Sequence, residues 1–209
     1  MRLTIFGVTG GIGSSLVEQA LAAGHTVDAL VRNPNGLKPR PALTVHSGDI
    51  LNESDVRKVI RDDTDAVLSA FAARASEKTA INQAGTANIS RVMETARVRR
   101  FIGISASAMY SDRYDNLVIR LAKPVLRRVF KSSYEDLQRM ESDLRASNID
   151  WSLVVPPRLT DKSYTGHYHI AIDHNVPGAF DARRSHVADC MLRIIGDASA
   201  MRHLVFVGD

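Results

Sequence analysis

The sequence predicts an α/β protein with one doubly wound, mostly parallel sheet and helices on both faces. Short apolar stretches alternate with helical patterns along the chain, which is typical of parallel strands joined by crossover helices. A glycine-rich turn connects the first predicted strand to the first predicted helix. The stretch 66–71 is apolar nearly throughout, as expected for a strand buried on both faces of a parallel sheet. Because no linker, repeat or low-complexity tract interrupts this pattern, we expect a single domain over residues 1–209.

The composition is ordinary for a soluble globular protein: 44% of the 209 residues are hydrophobic and 24% are charged. No apolar run approaches the ~20 residues that span a bilayer, and the first residues enter a strand at once, so we expect no membrane partner and no signal peptide. The single cysteine, Cys190, excludes an internal disulfide and predicts a cytoplasmic protein with a buried, inert thiol. The formal charge of +4 comes from mixed signs, which favours a groove for a phosphorylated cofactor and predicts no nucleic-acid partner.

The first half of the chain contains five predicted strands, at residues 3–6, 26–31, 43–46, 66–71 and 100–105. The first helix follows the glycine turn and ends near Gly24. Residues 33–41 form a proline- and glycine-rich loop. We expect Asn52 or Ser54 to cap a helix that carries the apolar residues Val56, Val59 and Ile60. A long helix is predicted over about 79–97.

The second half contains a helix over 134–146, which Ser132 or Ser133 is expected to cap and which carries Glu135 and Asp136 in its first turn. The sixth strand, 151–155, ends at Pro156 and Pro157. A short strand at 168–172, a helix over 185–195 and a last strand at 203–207 complete the pattern.

The glycine turn over residues 7–13 has the spacing G-x-x-G-x-x-G. Gly7 allows a tight turn out of the strand, Gly10 keeps side chains away from a pyrophosphate, and Gly13 lets the new helix pack closely on the sheet. The helix N-terminus offers free N–H groups and a partial positive charge to a phosphate. The turn, including Thr9, Gly11 and Ile12, therefore predicts a dinucleotide site, and the alternative is a glycine-rich turn without a ligand.

Arg32 directly follows the second predicted strand, about 20 residues after the glycine turn. An acidic residue at this position binds the ribose 2′-hydroxyl of NAD. Here the position is basic, and Asn33, Lys38 and Arg40 lie close behind it. A guanidinium forms paired hydrogen bonds with a phosphate, so this stretch predicts NADP(H) as the cofactor. The alternative is a solvated arginine in a loop.

Parallel sheets of this class bind ligands at the carboxyl ends of their strands. This rule gathers further candidates from separate stretches: Asp49 after the third strand, Ala70, Phe71 and Ala72 at the end of the fourth, Ser105 to Ser107 after the fifth, and the residues that follow the sixth.

The segment 109–131 combines apolar positions with six basic residues, and Pro124 breaks or kinks any helix there. It is either an amphipathic helical segment with a solvated basic face, or a mobile lid or a surface for an anionic partner.

Some chemistry is missing from the sequence. No tyrosine is followed four residues later by the lysine with which many Rossmann-type reductases lower the tyrosine pKa for proton transfer. His167 and His169 lack further ligands nearby, so we predict no metal site. There is no G-x-S-x-G elbow and no lysine of a phosphate-binding loop, which removes the central residues of hydrolases and phosphotransferases.

The chain resembles the atypical short-chain dehydrogenases/reductases, which have NAD(P)H-binding Rossmann folds, and is similar to their biliverdin reductase B/flavin reductase branch. The resemblance covers nearly the whole chain. It rests on GVTGGIG at 7–13, LVRNP at 30–34, SGDI at 47–50, ISAS at 104–107, WSLVVPPRL at 151–159, TGHY at 165–168 and SHVADCMLR at 185–193.

The resemblance implies a role for each stretch of the predicted site. Residues 10–13 would contact the pyrophosphate, Arg32 the 2′-phosphate, and Asp49 and Ile50 the adenine. Residues 70–72 and 105–107 would line the ribose and nicotinamide, with Pro156 and Pro157 as a wall of the pocket. The sequence departs from the branch at Arg158, where the branch has a histidine, and in the longer basic segment.

We therefore expect an NADPH-dependent oxidoreductase that transfers a hydride to a flat conjugated acceptor, with the acceptor pocket formed by residues 105–185. Ser105 and Ser107 are the candidates to hold the nicotinamide or the acceptor, and Arg158 is the candidate to stabilise anionic charge, unless it forms a surface salt bridge. The alternative is an NADP(H)-binding sensor without catalytic activity. Its partner would be another protein rather than a small-molecule redox acceptor, and the oligomeric state, monomer or dimer, stays open.

Overall fold

The computed structural model of the protein describes residues 1–71, 80–110, 123–125 and 128–209. The described strands are β1 Arg2–Phe6, β2 Thr26–Val31, β3 Leu43–Ser47, β4 Ala66–Ser69, β5 Arg100–Ile104, β6 Asp150–Val155, β7 Arg158–Thr160, β8 His169–Ile172, β9 Asp181–Arg183 and β10 His203–Gly208. The described α-helices are α1 Gly11–Ala22, α2 Glu53–Val56, α3 Ile81–Ala96, α4 Lys131–Ala146 and α5 Arg184–Arg193. None of the helices in these ranges is long and apolar enough to span a membrane.

Eight of the strands form one sheet in the order β3-β2-β1-β4-β5-β6-β10-β8. The strands from β3 to β10 run parallel, and β8 pairs antiparallel with β10. The chain winds outward from β1 in one direction to β3 and then crosses over to β4 on the other side. This confirms the predicted doubly wound, mostly parallel sheet, with its switch point between β1 and β4. The strands β7 and β9 form a separate parallel pair.

Each face of the sheet carries its own hydrophobic core. On one face, Leu16 of α1 and Val187 of α5 belong to the same buried cluster as Ile5. On the other, Met93 of α3 and Leu144 of α4 belong to the cluster that contains the next strand residue, Phe6. Neighbouring residues of one strand therefore enter opposite cores, which explains why the central strands are apolar nearly throughout.

The second helix is shorter than the sequence predicts. Asn52 caps α2 as expected, with its side-chain oxygen 3.0 Å from the amide nitrogen of Ser54, but the helix ends at Val56. The carbonyl of Val59 instead accepts a hydrogen bond from the Thr4 hydroxyl on β1, at 2.8 Å. Val59 is still buried, so the apolar pattern correctly predicts burial although the helical assignment is wrong beyond Val56.

The predicted start of α4 is also wrong. The helix begins at Lys131, no side-chain hydrogen bond caps it, and its first turn contains no acidic residue. Asp136 lies further along the helix and is buried, and its carboxylate accepts hydrogen bonds from the backbone N–H groups of Asn82 and Gln83 at 2.9 and 3.0 Å. Asp136 thus stabilises the N-terminus of α3 instead of that of its own helix.

Candidate functional site

The glycine turn lies between β1 and α1, and contacts too short for a side chain surround two of its glycines. Gly7 has a φ of +79°, and a Cβ atom there would lie 2.4 Å from the backbone nitrogen of Phe71. A Cβ atom on Gly13 would lie 2.1 Å from the carbonyl oxygen of Gly7. Gly10 caps α1 with extended backbone and no side-chain hydrogen bond. The turn therefore needs glycine at positions 7 and 13 for the reasons predicted, and it leaves the first N–H groups of α1 to a ligand.

A cleft of about 370 Å³ opens in front of this turn at the carboxyl ends of β1, β2 and β4. Many of the residues predicted to bind the cofactor line it: Gly7, Thr9, Gly10, Gly11, Ile12, Arg32, Asp49, Ile50, Ala70 and Phe71. Gly13 is buried behind them. The structure thus brings together stretches that are more than 60 residues apart in sequence, as the strand-end rule predicts.

Arg32 lines the cleft, is exposed, and makes no hydrogen bond or ion pair within the described part of the chain. Two of its neighbours already have partners. Arg40 forms an ion pair with Glu18 on α1, and the Asn33 side chain accepts a hydrogen bond from the amide of Asn35, at 3.0 Å. Lys38 is also exposed and has no hydrogen bond or ion pair among the described residues, but it does not line the cleft. Of these four residues, Arg32 is therefore the one that both lines the cleft and has a side chain available to a phosphate.

The floor of the cleft near Asp49 and Ile50 is held by hydrogen bonds from two helices. The Asp55 carboxylate on α2 accepts from the backbone amide of Asp49 at 3.0 Å. The Asn88 side chain on α3 donates to the carbonyl of Ile50 at 2.9 Å. A Cβ atom on Gly85 of α3 would lie 3.1 Å from the Phe71 ring, so the helix packs closely against this wall. These contacts fix the cleft before any ligand enters.

Ser105 and Ser107 follow β5, outside the lining of this cleft. Ser105 is only 5% exposed, and its hydroxyl lies 3.1 Å from the hydroxyl of Tyr110. The Tyr110 hydroxyl donates to Glu141 on α4 at 2.6 Å, so Ser105 is the donor to the tyrosine oxygen. Burial raises the pKa of Tyr110 well above its ordinary value of 10.0, and the Glu141 carboxylate adds to this shift. The tyrosine therefore stays protonated at neutral pH.

The ends of β5 and β6 meet at Ser107, whose backbone amide donates to the carbonyl of Pro156 at 3.1 Å. Pro156 is buried and Pro157 is partly exposed. This places the serines next to the predicted proline wall.

Arg158 lies on β7 and its side chain is 77% exposed. It pairs with Asp181 on β9 at 3.3 Å, and Lys162 pairs with the same carboxylate oxygen at 3.1 Å. This is the surface ion pair that the sequence leaves open as the alternative. A role of Arg158 toward an anionic acceptor stays a prediction.

The sequence prediction does not include Arg184, which also lines the cleft. Arg184 is the first residue of α5, and its side chain lies so close to Gly11 that a Cβ atom there would be 2.5 Å from the arginine Cδ. The sequence contains one signal for it: a cation in the first turn of a helix opposes the helix dipole and has no structural advantage there.

Ala72 and most of the basic segment 113–131 lie outside the described residues, so their predicted roles stay predictions. His167 and His169 are both exposed. Within the described residues, no group of three or more histidine, cysteine, aspartate or glutamate side chains is arranged to hold a metal ion. Cys190 is fully buried, as predicted.

The comparisons with known proteins agree with this arrangement. Residues 7–198 match the model of a protein family described as NAD(P)H-binding. The photosystem II assembly factor Ycf39 from Synechocystis is 33% identical over 110 residues, which are 50% of this chain and 33% of Ycf39. The match therefore spans half of this chain and about a third of the length of that relative.

Two solved structures share the fold over essentially the whole chain. A short-chain dehydrogenase/reductase from Veillonella parvula, crystallised in complex with NADP, has a TM-score of 0.81 at 17% identity, with 100% of this chain and 94% of that chain covered. The anaerobillin reductase ChuY from Escherichia coli O157:H7 has a TM-score of 0.75 at 19% identity, with 99% and 96% covered.

Proposed function

Because this chain belongs to the NAD(P)H-binding family, we propose that it is an NADPH-dependent reductase that passes a hydride to a flat conjugated acceptor such as a flavin, a quinone or a biliverdin-like tetrapyrrole. The observation that carries the proposal is the cleft that the glycine turn, the start of α1 and Arg32 line together, with the Arg32 guanidinium unpaired among the described residues. The turn suits a pyrophosphate and Arg32 suits a ribose 2′-phosphate, so the two features together favour NADPH over NADH.

NADPH, when bound, supplies a hydride from its dihydronicotinamide ring, and the acceptor takes up that hydride together with one proton. Ser105 and Ser107, at the end of β5, are proposed to hold the nicotinamide side of the cofactor or a polar group of the acceptor. The Ser105 hydroxyl lies 3.1 Å from the Tyr110 hydroxyl and 3.7 Å from the Met109 sulfur, and these contacts hold the serine in place, which supports a positioning role. The acceptor would occupy a pocket built from residues 105–185.

The absence of a tyrosine–lysine pair in the sequence supports a conjugated acceptor. A simple ketone develops alkoxide charge as the hydride arrives and benefits from a strong, positioned acid. A flavin or tetrapyrrole spreads the added electrons over its ring system and depends less on such an acid. The protein then has two main tasks, which are to stack the acceptor on the nicotinamide and to exclude water. The shared fold with an anaerobillin reductase is consistent with this class of acceptor.

A steady-state assay of NADPH oxidation tests the proposal, with FMN, riboflavin, quinones and biliverdin offered in turn. We expect turnover with at least one of them. When NADPH carries deuterium on one face of nicotinamide C4, the NADP+ formed should lose all of the label for one face and keep all of it for the other. A mixture of labelled and unlabelled NADP+ from a single labelled face would contradict stereospecific hydride transfer.

A second candidate is a protein that binds NADP(H) without turnover and acts through a partner protein. The similarity of half the chain to an assembly factor supports it. The same panel separates the two candidates, because tight NADPH binding without oxidation by any acceptor favours the binding protein and contradicts the reductase.

A further inference from the structure

Arg184 lines the cleft that is proposed to bind a dinucleotide, although the glycine fingerprint of the sequence does not include it. It lines the cleft from the side of α5, while the glycine turn lines it from the side of α1. The side chain rests on Gly11, where the missing Cβ leaves space for it. Gly11 is therefore both the first residue of α1 and the residue against which the Arg184 side chain packs.

The position of Arg184 is not explained by the stability of its own helix. A positive charge in the first turn of α5 faces the positive end of the helix dipole, which is unfavourable. Its ion-pair partner in the described residues is Asp161, at 2.7 Å, whose side chain is 84% exposed. The Arg184 side chain is only 30% exposed, but water surrounds its carboxylate partner, so the pair contributes little and the guanidinium can exchange Asp161 for a phosphate at little cost.

We propose that Arg184 is a phosphate-binding arm that releases Asp161 and takes the pyrophosphate of the dinucleotide. The proposal rests on the proposed function insofar as the cleft must bind NADP(H). The planar guanidinium can donate two parallel hydrogen bonds to phosphate oxygens, and the amides at the start of α1, beside which the arginine lies, are further donors. Asp161 and the pyrophosphate then compete for the same cation.

This competition links the cleft to the segment between β7 and β8. Asp161 directly follows β7, and four residues later the backbone amide of Thr165 donates to Nε2 of the buried His186 on α5, at 3.2 Å. The segment therefore contacts α5 at two points. Thr165 is bonded to His186, and Asp161 is paired with Arg184 at the edge of the cleft. Binding of the pyrophosphate would free the Asp161 end while the Thr165 end stays in place.

Isothermal titration of the full chain with NADPH, NADH and adenosine 2′-monophosphate tests the arm. Both dinucleotides contain the pyrophosphate, whereas adenosine 2′-monophosphate contains only the phosphate expected to meet Arg32. We expect Arg184→Met to weaken NADPH and NADH by the same factor, roughly 10- to 100-fold, because charge-assisted hydrogen bonds are lost. The affinity for adenosine 2′-monophosphate should not change.

Two further variants distinguish the arm from a merely structural arginine. Asp161→Asn removes the competing carboxylate, so both dinucleotides should bind a few-fold more tightly, roughly in line with the loss of an exposed ion pair. Arg184→Lys keeps the charge without the planar fork and should fall between the wild type and Arg184→Met. Arg193→Met is the matched control, because Arg193 lies on the same helix, pairs with Asp189 and does not line the cleft.

The proposal is overturned if Arg184→Met binds both dinucleotides like the wild type, or if Asp161→Asn binds them no more tightly. If Arg184→Met does not fold, the other two variants test the proposal. Arg184→Lys should then bind both dinucleotides more weakly than the wild type, and Asp161→Asn more tightly. A wild type that binds neither dinucleotide would contradict the proposed function itself. A wild type that binds both, with unchanged variants, would contradict only the arm.

Discussion

Asp136 on α4 holds the backbone amide of Asn82, the second residue of α3, at 2.9 Å. The cap is thus supplied by a neighbouring helix 54 residues further along the chain, and it joins two of the helices that cover one face of the sheet. On α3, Gly85 packs against Phe71 and Asn88 donates to the carbonyl of Ile50, and both partners line the cleft. The cap therefore also stabilises the wall of the cleft.

Asp136→Ala should lower the free energy of unfolding by about 2 kcal/mol, because two amides at the start of α3 lose their acceptor. Chemical denaturation followed by circular dichroism measures this. Asp143→Ala is the matched control, since Asp143 lies on the same helix and, among the described residues, its carboxylate accepts a hydrogen bond from the Gln83 side chain alone. Its effect should stay within about 0.5 kcal/mol, and an equal loss in both variants would contradict the capping role.

Arg32→Glu should reduce the preference for NADPH over NADH by roughly 10- to 100-fold, because the carboxylate repels the 2′-phosphate that the guanidinium is expected to bind. Titration with both cofactors gives the ratio of dissociation constants. Arg40→Gln serves as the control, since Arg40 is already paired with Glu18 and should leave the ratio unchanged. An unchanged ratio in Arg32→Glu would remove this residue from cofactor selection.

Burial raises the pKa of the Cys190 thiol from 9.0 to about 12, with a smaller contribution from Asp189. Above pH 9 the thiol of the unfolded chain ionises while the folded one stays protonated, so the folded state loses stability as the pH rises from about 9 towards 12. Denaturation series from pH 8 to 11 should show a shallower decline in Cys190→Ala than in the wild type. The native thiol should also fail to react with a thiol reagent at pH 8 until denaturant is added, and rapid labelling of the native protein would refute its burial.

Arg158→Ala should lower kcat/KM for FMN by roughly 2- to 5-fold more than for uncharged riboflavin, because an exposed cation contributes modestly to binding a phosphate. The measurement is steady-state NADPH oxidation with each acceptor. Lys162→Ala removes the other cation that pairs with Asp181 and separates a general change in charge from a specific contact. Equal losses for FMN and riboflavin would leave Arg158 as a surface ion pair.

Local sequence patterns predicted most of the fold, since strands and helices of a parallel sheet leave strong periodic signals. The glycine turn and Arg32 were also predictable, because their meaning depends on spacing from a strand end. Asp136 and Arg184 were not, for a common physical reason. Each acts on a partner brought close only by the folded sheet: Asp136 on Asn82, and Arg184 on Gly11. Local preference even suggested that Asp136 belongs to the first turn of its own helix.

The region of α2 shows the same limit of prediction from local sequence. There the burial of Val59 is predicted correctly, but the end of the helix is not. An apolar period predicts which side chains face the core, but the helix ends at Val56, and three residues later the Val59 carbonyl accepts from Thr4 on β1. Hydrogen bonds between distant segments decide such boundaries, and no window of local sequence contains both partners.

The position of β10 in the sheet sets an order for folding during synthesis. β10 lies between β6 and β8, although residues 203–208 are made after both of them. Until β10 emerges, the edge of β6 lacks its final neighbour, and β8 lacks its only partner in the described sheet. An unpaired strand edge is a template for pairing with other chains. The interval before β10 joins is therefore the stage at which a nascent chain is most exposed to misassembly, and completion of the sheet depends on its latest strand.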